Sequence, residues 1–238
     1  MAEQSIRWHV FADVYELISE AESRIGRAAA EAIENRGSFH IVLAGGTTPK
    51  SLYQRLAAAG AGGPAWHVWF GDERCLPAGD SERNETMTRT AWLDESGIPS
   101  EQIHGILAGP DPREAARSYA AELREVGQFD LVLLGIGEDG HTASLFPDHP
   151  AGGEPGSESA IPVFDAPKPP PERVSLTARR LSDAREVMVL VTGGGKAEAI
   201  RRWRGGEDLP VSRVRPAGGV DVFLDEEAMD SVGEPGQG

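Results

Sequence analysis

The chain has a single cysteine, Cys75, among 238 residues. No intramolecular disulfide can hold it together, and a reducing compartment, the cytoplasm, is the expected setting. No apolar run approaches the roughly 18 residues or more that a membrane-spanning helix needs. The opening stretch MAEQSIRWHVFADVYEL has no apolar core of the kind a secretion signal carries. Basic residues are scarce, 23 Lys and Arg against 38 Asp and Glu, for a net charge of −15. This argues against a nucleic-acid partner, because phosphate backbones are bound by basic surfaces. A small anion can bind such a protein only at a locally positive pocket. Lysine is the scarcest base: Lys50, Lys168 and Lys196 are the only ones, against twenty arginines.

What is present is ordinary for a globular chain: 39% hydrophobic and 26% charged residues, without an internal repeat. The length suits one α/β domain over residues 1–230, followed by a frayed acidic tail at 231–238. Residues 12–35 carry apolar side chains at helical spacing, with Asp13 as a candidate N-cap and Gly37 just past the end. Short apolar runs at 39–44, 66–70, 129–135, 186–191 and 220–224 read as strands, as does RVSLT at 173–177. Helical patterns alternate with them, notably at 112–127 and 196–204. The expected fold is α/β: a mostly parallel, Rossmann-like sheet flanked by helices on both faces, with all these strands in one sheet. Residues 150–172, dense in Pro, Gly and Ser, read as a long surface loop.

In open parallel sheets, ligands bind beyond the C-terminal ends of the strands, so the segments leaving each strand carry the chemistry. The first is Gly45-Gly46-Thr47-Thr48, after which a helix opens at Pro49. Free N–H groups at a helix start make an anion site. The same pattern also fits a plain strand-to-helix turn capped by Thr47 or Thr48. The second is Asp72-Glu73-Arg74, which is either a solvated charge cluster or, at the ligand edge, a place for Arg74 to meet a phosphate. Asn84 and Arg89 follow on a further helix and read, by themselves, as surface residues. The third is Gly193-Gly194-Gly195-Lys196. It is not a Walker loop, since Leu190 stands where Gly is needed and Ala197 where Ser or Thr is needed. Lys196 there is a compact cation at a glycine turn, or a chance placement.

The fourth segment, GIGEDGHTASLFPDHP from Gly135 to Pro150, contains a G-x-G-x-x-G match at Gly135, Gly137 and Gly140. A dinucleotide fingerprint needs a well-formed helix after its last glycine, and Pro147 and Pro150 leave no room for one. What remains is a strand that delivers Asp139 and His141 to the ligand edge. A His beside a carboxylate is suited to general acid–base work near neutral pH, although a His that only packs the turn fits the local pattern too. Neither Asp139/His141 nor Asp148/His149 has further ligands at metal spacing.

Taken together, LAGGTTPKSLYQRL, VWFGDERCLP with Asn84 and Arg89 after it, FDLVLLGIGEDGHTASLFPDHP, and RVSLT followed by VMVLVTGGGKAEAI resemble the 6-phosphogluconolactonase family. The likeness runs from about residue 8 to about residue 225 in the expected order. It implies hydrolysis of 6-phospho-D-glucono-1,5-lactone, a small-molecule substrate, with no metal and no cofactor. It implies His141 as catalytic base, with Asp139 beside it to orient the imidazole or the water. Arg74 and Lys196 would hold the phosphate, with Gly45, Gly46, Thr47 and Thr48 lining the sugar site. Asp72, Asn84 and Arg173 would be further substrate contacts. A monomer without nucleic-acid or membrane partners is expected.

The nearest rival on the same fold is a glucosamine-6-phosphate deaminase-isomerase, in which Asp72 would shuttle the proton. That enzyme's segment resembles Gly-His-Ile-Ala-Phe-Asn-Glu-Pro, whose Glu is replaced here by Phe146. Its Asp-Glu-Tyr turn is Asp-Glu-Arg here. A sugar-phosphate sensor without catalysis would keep the cations but need no His141.

Overall fold

The computed structural model describes residues 4–109 and 111–230; the tail at 231–238 lies outside them. The chain opens with β1 (Ile6–Phe11) and α1 (Val14–Arg36), then β2 (Phe39–Leu43), α2 (Thr47–Ala58), β3 (Trp66–Phe70) and β4 (Asp72–Arg74). There follow α3 (Asn84–Ala91), β5 (Ile103–His104), α4 (Pro112–Glu122), β6 (Phe129–Gly135), β7 (Ala160–Val163) and β8 (Arg173–Leu176). The rest is α5 (Ala178–Ser182), β9 (Ala184–Val191), α6 (Ala197–Arg204), β10 (Val220–Asp225) and α7 (Glu226–Asp230).

Seven strands form one parallel sheet in the order β1-β10-β9-β6-β2-β3-β5. Six consecutive residues of β6 and all six of β10 are buried, so alternate side chains on both faces of the sheet are covered. The order explains where a ligand can sit. From β2 the chain moves outward through β3 to β5, and from β6 it moves the other way through β9 to β10. The neighbours β2 and β6 therefore flank a switch point, and the crevice beyond their C-terminal ends is the natural binding place.

The long helix follows its sequence signals. Asp13 caps α1, its Oδ1 accepting from the Glu16 N–H at 2.9 Å. Gly37 ends the helix in the left-handed region at φ +81°, donating its N–H to the Ile33 carbonyl. No helix among the described residues is long and apolar enough to cross a membrane.

The one-sheet expectation fails at RVSLT. Here β8 joins β4 and β7 in a second, three-stranded antiparallel sheet, with Asp72 opposite Ser175 and Arg74 opposite Arg173. The reason is in the alternation: Arg173 and Ser175 interleave with Val174 and Leu176, which suits a strand with two unlike faces. The loop expected at 150–172 likewise contains a strand, β7. The edge strands β1 and β5 were not among the expected strands. In β1 the residues Ile6, Trp8 and Val10 alternate with Arg7, His9 and Phe11. Arg7 and His9 are both bonded to Asp221 of β10, at 2.7–2.8 Å.

Candidate active site

Four strand exits and the small sheet enclose a cavity of about 310 Å³ at the switch point. The exit of β2 is pinned by Tyr53, whose hydroxyl donates to the Ala44 carbonyl at 2.7 Å and accepts from the Ala44 N–H at 3.0 Å. Gly45 follows, and any side chain is barred there: a Cβ would lie 2.1 Å from Asn84 Oδ1. Helix α2 begins directly at Thr47 with no side-chain cap, two residues before Pro49. The expected Thr caps are absent because Thr48 bonds across to Thr192 at the exit of β9, Oγ1 to Oγ1 at 2.6 Å. That bond ties the two glycine-containing exits together. Gly193 is held in turn by Asp225, both of whose oxygens accept from its N–H at 3.0 Å.

The exit of β3 turns at Gly71 into β4, and its three charged residues part ways. Asp72, 6% exposed, accepts at Oδ2 from Ser144 Oγ at 2.5 Å and at Oδ1 from Asn84 Nδ2 at 3.1 Å. Glu73 is not a solvated charge at all. It is 1% exposed and accepts from the N–H groups of Arg74, Asn84 and Glu85 at 2.8–2.9 Å. The last two open α3, so Glu73 is a buried cap for that helix, with Arg83 at 3.7 Å. Burial raises its pKa, and the N–H groups with Arg83 work against the rise. Arg83, 1% exposed, stitches the 74–83 loop down by donating to the carbonyls of Arg74, Leu76 and Ile106. Asn84, expected on the surface, is 5% exposed, while Arg89 stays on α3, paired with Glu85. Arg74 reaches the cavity. Its Nη1 donates to the Glu82 carbonyl, and its Nε is buried with no partner.

The exit of β6 carries the acid–base pair. His141 Nδ1 lies 2.5 Å from Asp139 Oδ1, and the same oxygen accepts the His141 N–H at 3.2 Å. Gly137 is required beneath this pair, since a Cβ would stand 1.9 Å from His141 Nδ1 and 2.6 Å from Asp139 Oδ1. Burial lowers the pKa of His141, assisted by the Lys168 charge, while Asp139 and Asp72 pull it up. Burial pushes the Asp139 carboxyl up, but the His141 hydrogen bond, the imidazole charge and backbone N–H donors outweigh it, and its pKa falls below the usual value. An ionised carboxylate can only accept, so Nδ1 carries the hydrogen and Nε2 is left as a proton acceptor. Beyond His141 the chain makes a tight turn closed by Thr142 and Leu145, with Ala143 in the left-handed region at φ +49°.

Of the residues singled out in the sequence, Gly45, Gly46, Asp72, Arg74, Asn84, His141, Arg173 and Lys196 line this one cavity. Asp139 stands behind His141. Thr47 and Thr48 do not line it; Thr48 is spent on Thr192 and Thr47 is exposed. Arg173, 5% exposed, bonds to the carbonyls of Lys168, Pro169 and Pro170. Two contributors were not anticipated as site residues. Ser144 anchors Asp72, and Lys168 lines the cavity from the 150–172 segment. The signal for Lys168 was its rarity, since two of the chain's three lysines face one cavity. Among the described residues, Arg74, Lys168 and Lys196 have no acidic partner, and no three or more His, Cys, Asp or Glu are grouped to hold a metal ion. Three unpaired cations in so acidic a chain mark the cavity for an anion.

Comparison with known proteins shows which family the sequence and fold belong to. Residues 12–223 match the family described as glucosamine-6-phosphate isomerases/6-phosphogluconolactonase. The 6-phosphogluconolactonase of Rattus norvegicus is 38% identical over 241 residues, covering 95% of this chain and 93% of its own. That of Mycobacterium tuberculosis is 40% identical, covering 89% of this chain and 90% of its own. The crystal structure of 6-phosphogluconolactonase from Thermotoga maritima superposes with a TM-score of 0.83 at 26% identity, over 93% of this chain and 99% of that one. The chain belongs to the glucosamine-6-phosphate isomerase/6-phosphogluconolactonase family.

Proposed function

We propose that this chain hydrolyses 6-phospho-D-glucono-1,5-lactone to 6-phospho-D-gluconate, with His141 as general base. The observation that carries the reading is the Asp139–His141 pair at 2.5 Å on the wall of a cationic cavity. The family supports the substrate class; the geometry supports this division of labour.

A δ-lactone is already reactive, so orientation, a base and charge stabilisation suffice. Neutral His141 takes a proton from water at Nε2 as the water oxygen bonds to C1 and the carbonyl electrons move onto the carbonyl oxygen. Asp139, fixed on Nδ1–H, holds the ring in the right tautomer and stabilises the imidazolium that forms. Collapse of the tetrahedral intermediate breaks the bond from C1 to the ring oxygen. His141 returns its proton to that oxygen, which leaves as a hydroxyl. The lowered pKa of His141 keeps it in the base form at neutral pH. Arg74 and Lys196 take the phosphate, whose binding energy fixes the lactone against the dyad. The Arg74 Nε has no hydrogen-bond partner among the described residues and is a donor available to the phosphate.

Asp72 would be the base in a deaminase-isomerase, where a Glu supports the His; that position is Phe146 here, an apolar ring packed 4.8 Å from the His141 ring. That favours the lactonase reading. All the groups invoked come from one chain, so a monomer suffices as the catalytic unit. The lone Cys75 is buried and unpaired, which fits the cytoplasm.

The test is lactone hydrolysis corrected for the spontaneous reaction, comparing phosphorylated and unphosphorylated substrates in the wild type and in His141→Ala. Turnover of the phosphorylated lactone by the wild type and its collapse in a folded His141→Ala protein are expected. Wild-type turnover no faster than background would falsify the activity; an active variant would remove His141 from the base role.

A further inference from the structure

We infer that Lys168 is the cation of the reacting end of the cavity, where it meets the charge developing on the lactone carbonyl oxygen, and that Arg173 is its positioning residue. This rests on the lactonase reading above.

Arg173 was expected as a further substrate contact, yet most of its donors are used on the protein. Nε donates to the Pro170 carbonyl at 3.0 Å, and Nη2 to the carbonyls of Lys168 at 2.9 Å and Pro169 at 3.1 Å. One buried guanidinium thus takes three successive carbonyls and holds the 168–170 turn, whose Lys168 and Pro169 line the cavity. A planar fork with several donors does this; a lysine at 173 could not span the three acceptors. The guanidinium carbon lies 5.7 Å from the centre of the Phe146 ring, and the His141 ring lies 4.8 Å from the same Phe146. The turn and the imidazole are therefore built against one aromatic side chain, which fixes their relation.

Lys168, which begins that turn, is exposed and has no acidic partner among the described residues. It lines the cavity together with His141. Its charge opposes protonation of His141, whereas Asp139 and Asp72 favour it. Arg202 also approaches, but from behind, reaching the Asp139 carbonyl at 3.5 Å. When water adds to C1, the proton moves to His141 Nε2 and one negative charge appears on the carbonyl oxygen. An ammonium at the His141 end is attracted to that charge more strongly than to the neutral lactone, and so acts on the transition state. When the C1 to ring-oxygen bond breaks, the carbonyl re-forms and the attraction relaxes.

Lys168→Gln, at an exposed position, tests this without threatening the fold. We expect kcat to fall about 10- to 100-fold on phosphorylated and unphosphorylated lactones alike, less than the roughly 10²- to 10³-fold cost of losing a preorganised oxyanion-hole donor, because Lys168 is exposed. KM should stay within a few-fold, and the acid limb of kcat/KM should move to higher pH, because the charge opposing imidazolium is gone. Arg173→Lys should lower kcat in the same way, and the double variant should be little worse than either single one. A loss confined to the KM of the phosphorylated lactone would make Lys168 a phosphate ligand and overturn the inference. So would unchanged kinetics, and losses that multiply in the double variant would overturn the positioning role of Arg173. A dead His141→Ala protein beside a fully active Lys168→Gln protein would sink this inference alone; an active His141→Ala protein would sink the base assignment on which it rests.

Discussion

Two groups of histidines in this molecule share a depressed pKa and differ in everything else. His40, His67 and His104 stand on the neighbouring strands β2, β3 and β5. The rings of His40 and His67 stack at 4.4 Å, and His104 lies over Trp69 at 3.7 Å. His67 Nδ1 meets His104 Nε2 at 3.3 Å, and Trp69 Nε1 donates to His40 Nδ1 at 3.3 Å. Burial lowers all three, His104 to about 4. His141 is lowered too, again by burial. Yet the stacked rings spend their nitrogens on one another, on Trp69 and on Gln102, and among the described residues none of these rings bonds a carboxylate. His141 has Asp139 on one nitrogen and the cavity before the ring. A perturbed pKa alone does not pick out a candidate base; a carboxylate behind and a cavity in front make His141 the candidate.

The comparison breaks most easily at His141. His141→Ala should lower kcat by about 10²-fold or more with an unchanged melting temperature, as expected for a lost general base. A smaller loss would put the dyad on a par with the stack. Next in size is the anion end of the cavity. Arg74→Ala or Lys196→Ala should cut kcat/KM for the phosphorylated lactone about 10- to 100-fold, since a charge-assisted contact contributes about 1.5–3 kcal/mol. Hydrolysis of the unphosphorylated lactone should barely change; equal losses on both would show a structural or catalytic role instead. The smallest effect on turnover belongs to the stack. His104→Phe, which keeps a ring against Trp69, should leave kcat unaltered and change only the pH dependence of stability. In the wild type, the unfolded chain binds protons that the folded His104 refuses between pH 6.5 and about 4. Stability therefore falls as pH falls through that window. Denaturant melts from pH 7 to 4 should show a shallower decline in the variant; an identical slope would clear His104 of the effect.

Apolar runs covered on both faces were easy to read from the sequence, so five of the seven strands of the main sheet stood out, with Asp13 and Gly37 bounding α1. The small sheet was not legible. Its strands are three or four residues long, and what pairs them is contact between segments about a hundred residues apart, Asp72 with Ser175. The cavity's members could be named singly because glycines, cations and a His at strand exits are unusual neighbours. Their relations could not. Nothing local says that Glu73 turns inward to cap α3 while Asp72 and Arg74 turn toward the cavity, or that Thr48 bonds Thr192 rather than its own helix. Arg173 shows the limit best: the residue was visible, but its three carbonyl acceptors exist only once the 168–170 turn has folded onto it.

The central claim is that Asp139 and His141 work as one base. Its most direct test is the pH dependence of kcat/KM in the wild type and in Asp139→Asn. Because burial, with the Lys168 charge, lowers the pKa of His141 further than Asp139 raises it, the wild type should show an acid limb below about 6.5, the unperturbed value of imidazole. Asp139→Asn should reduce kcat and move that limb to lower pH. An acid limb unmoved by Asp139→Asn, with kcat intact, would contradict the account.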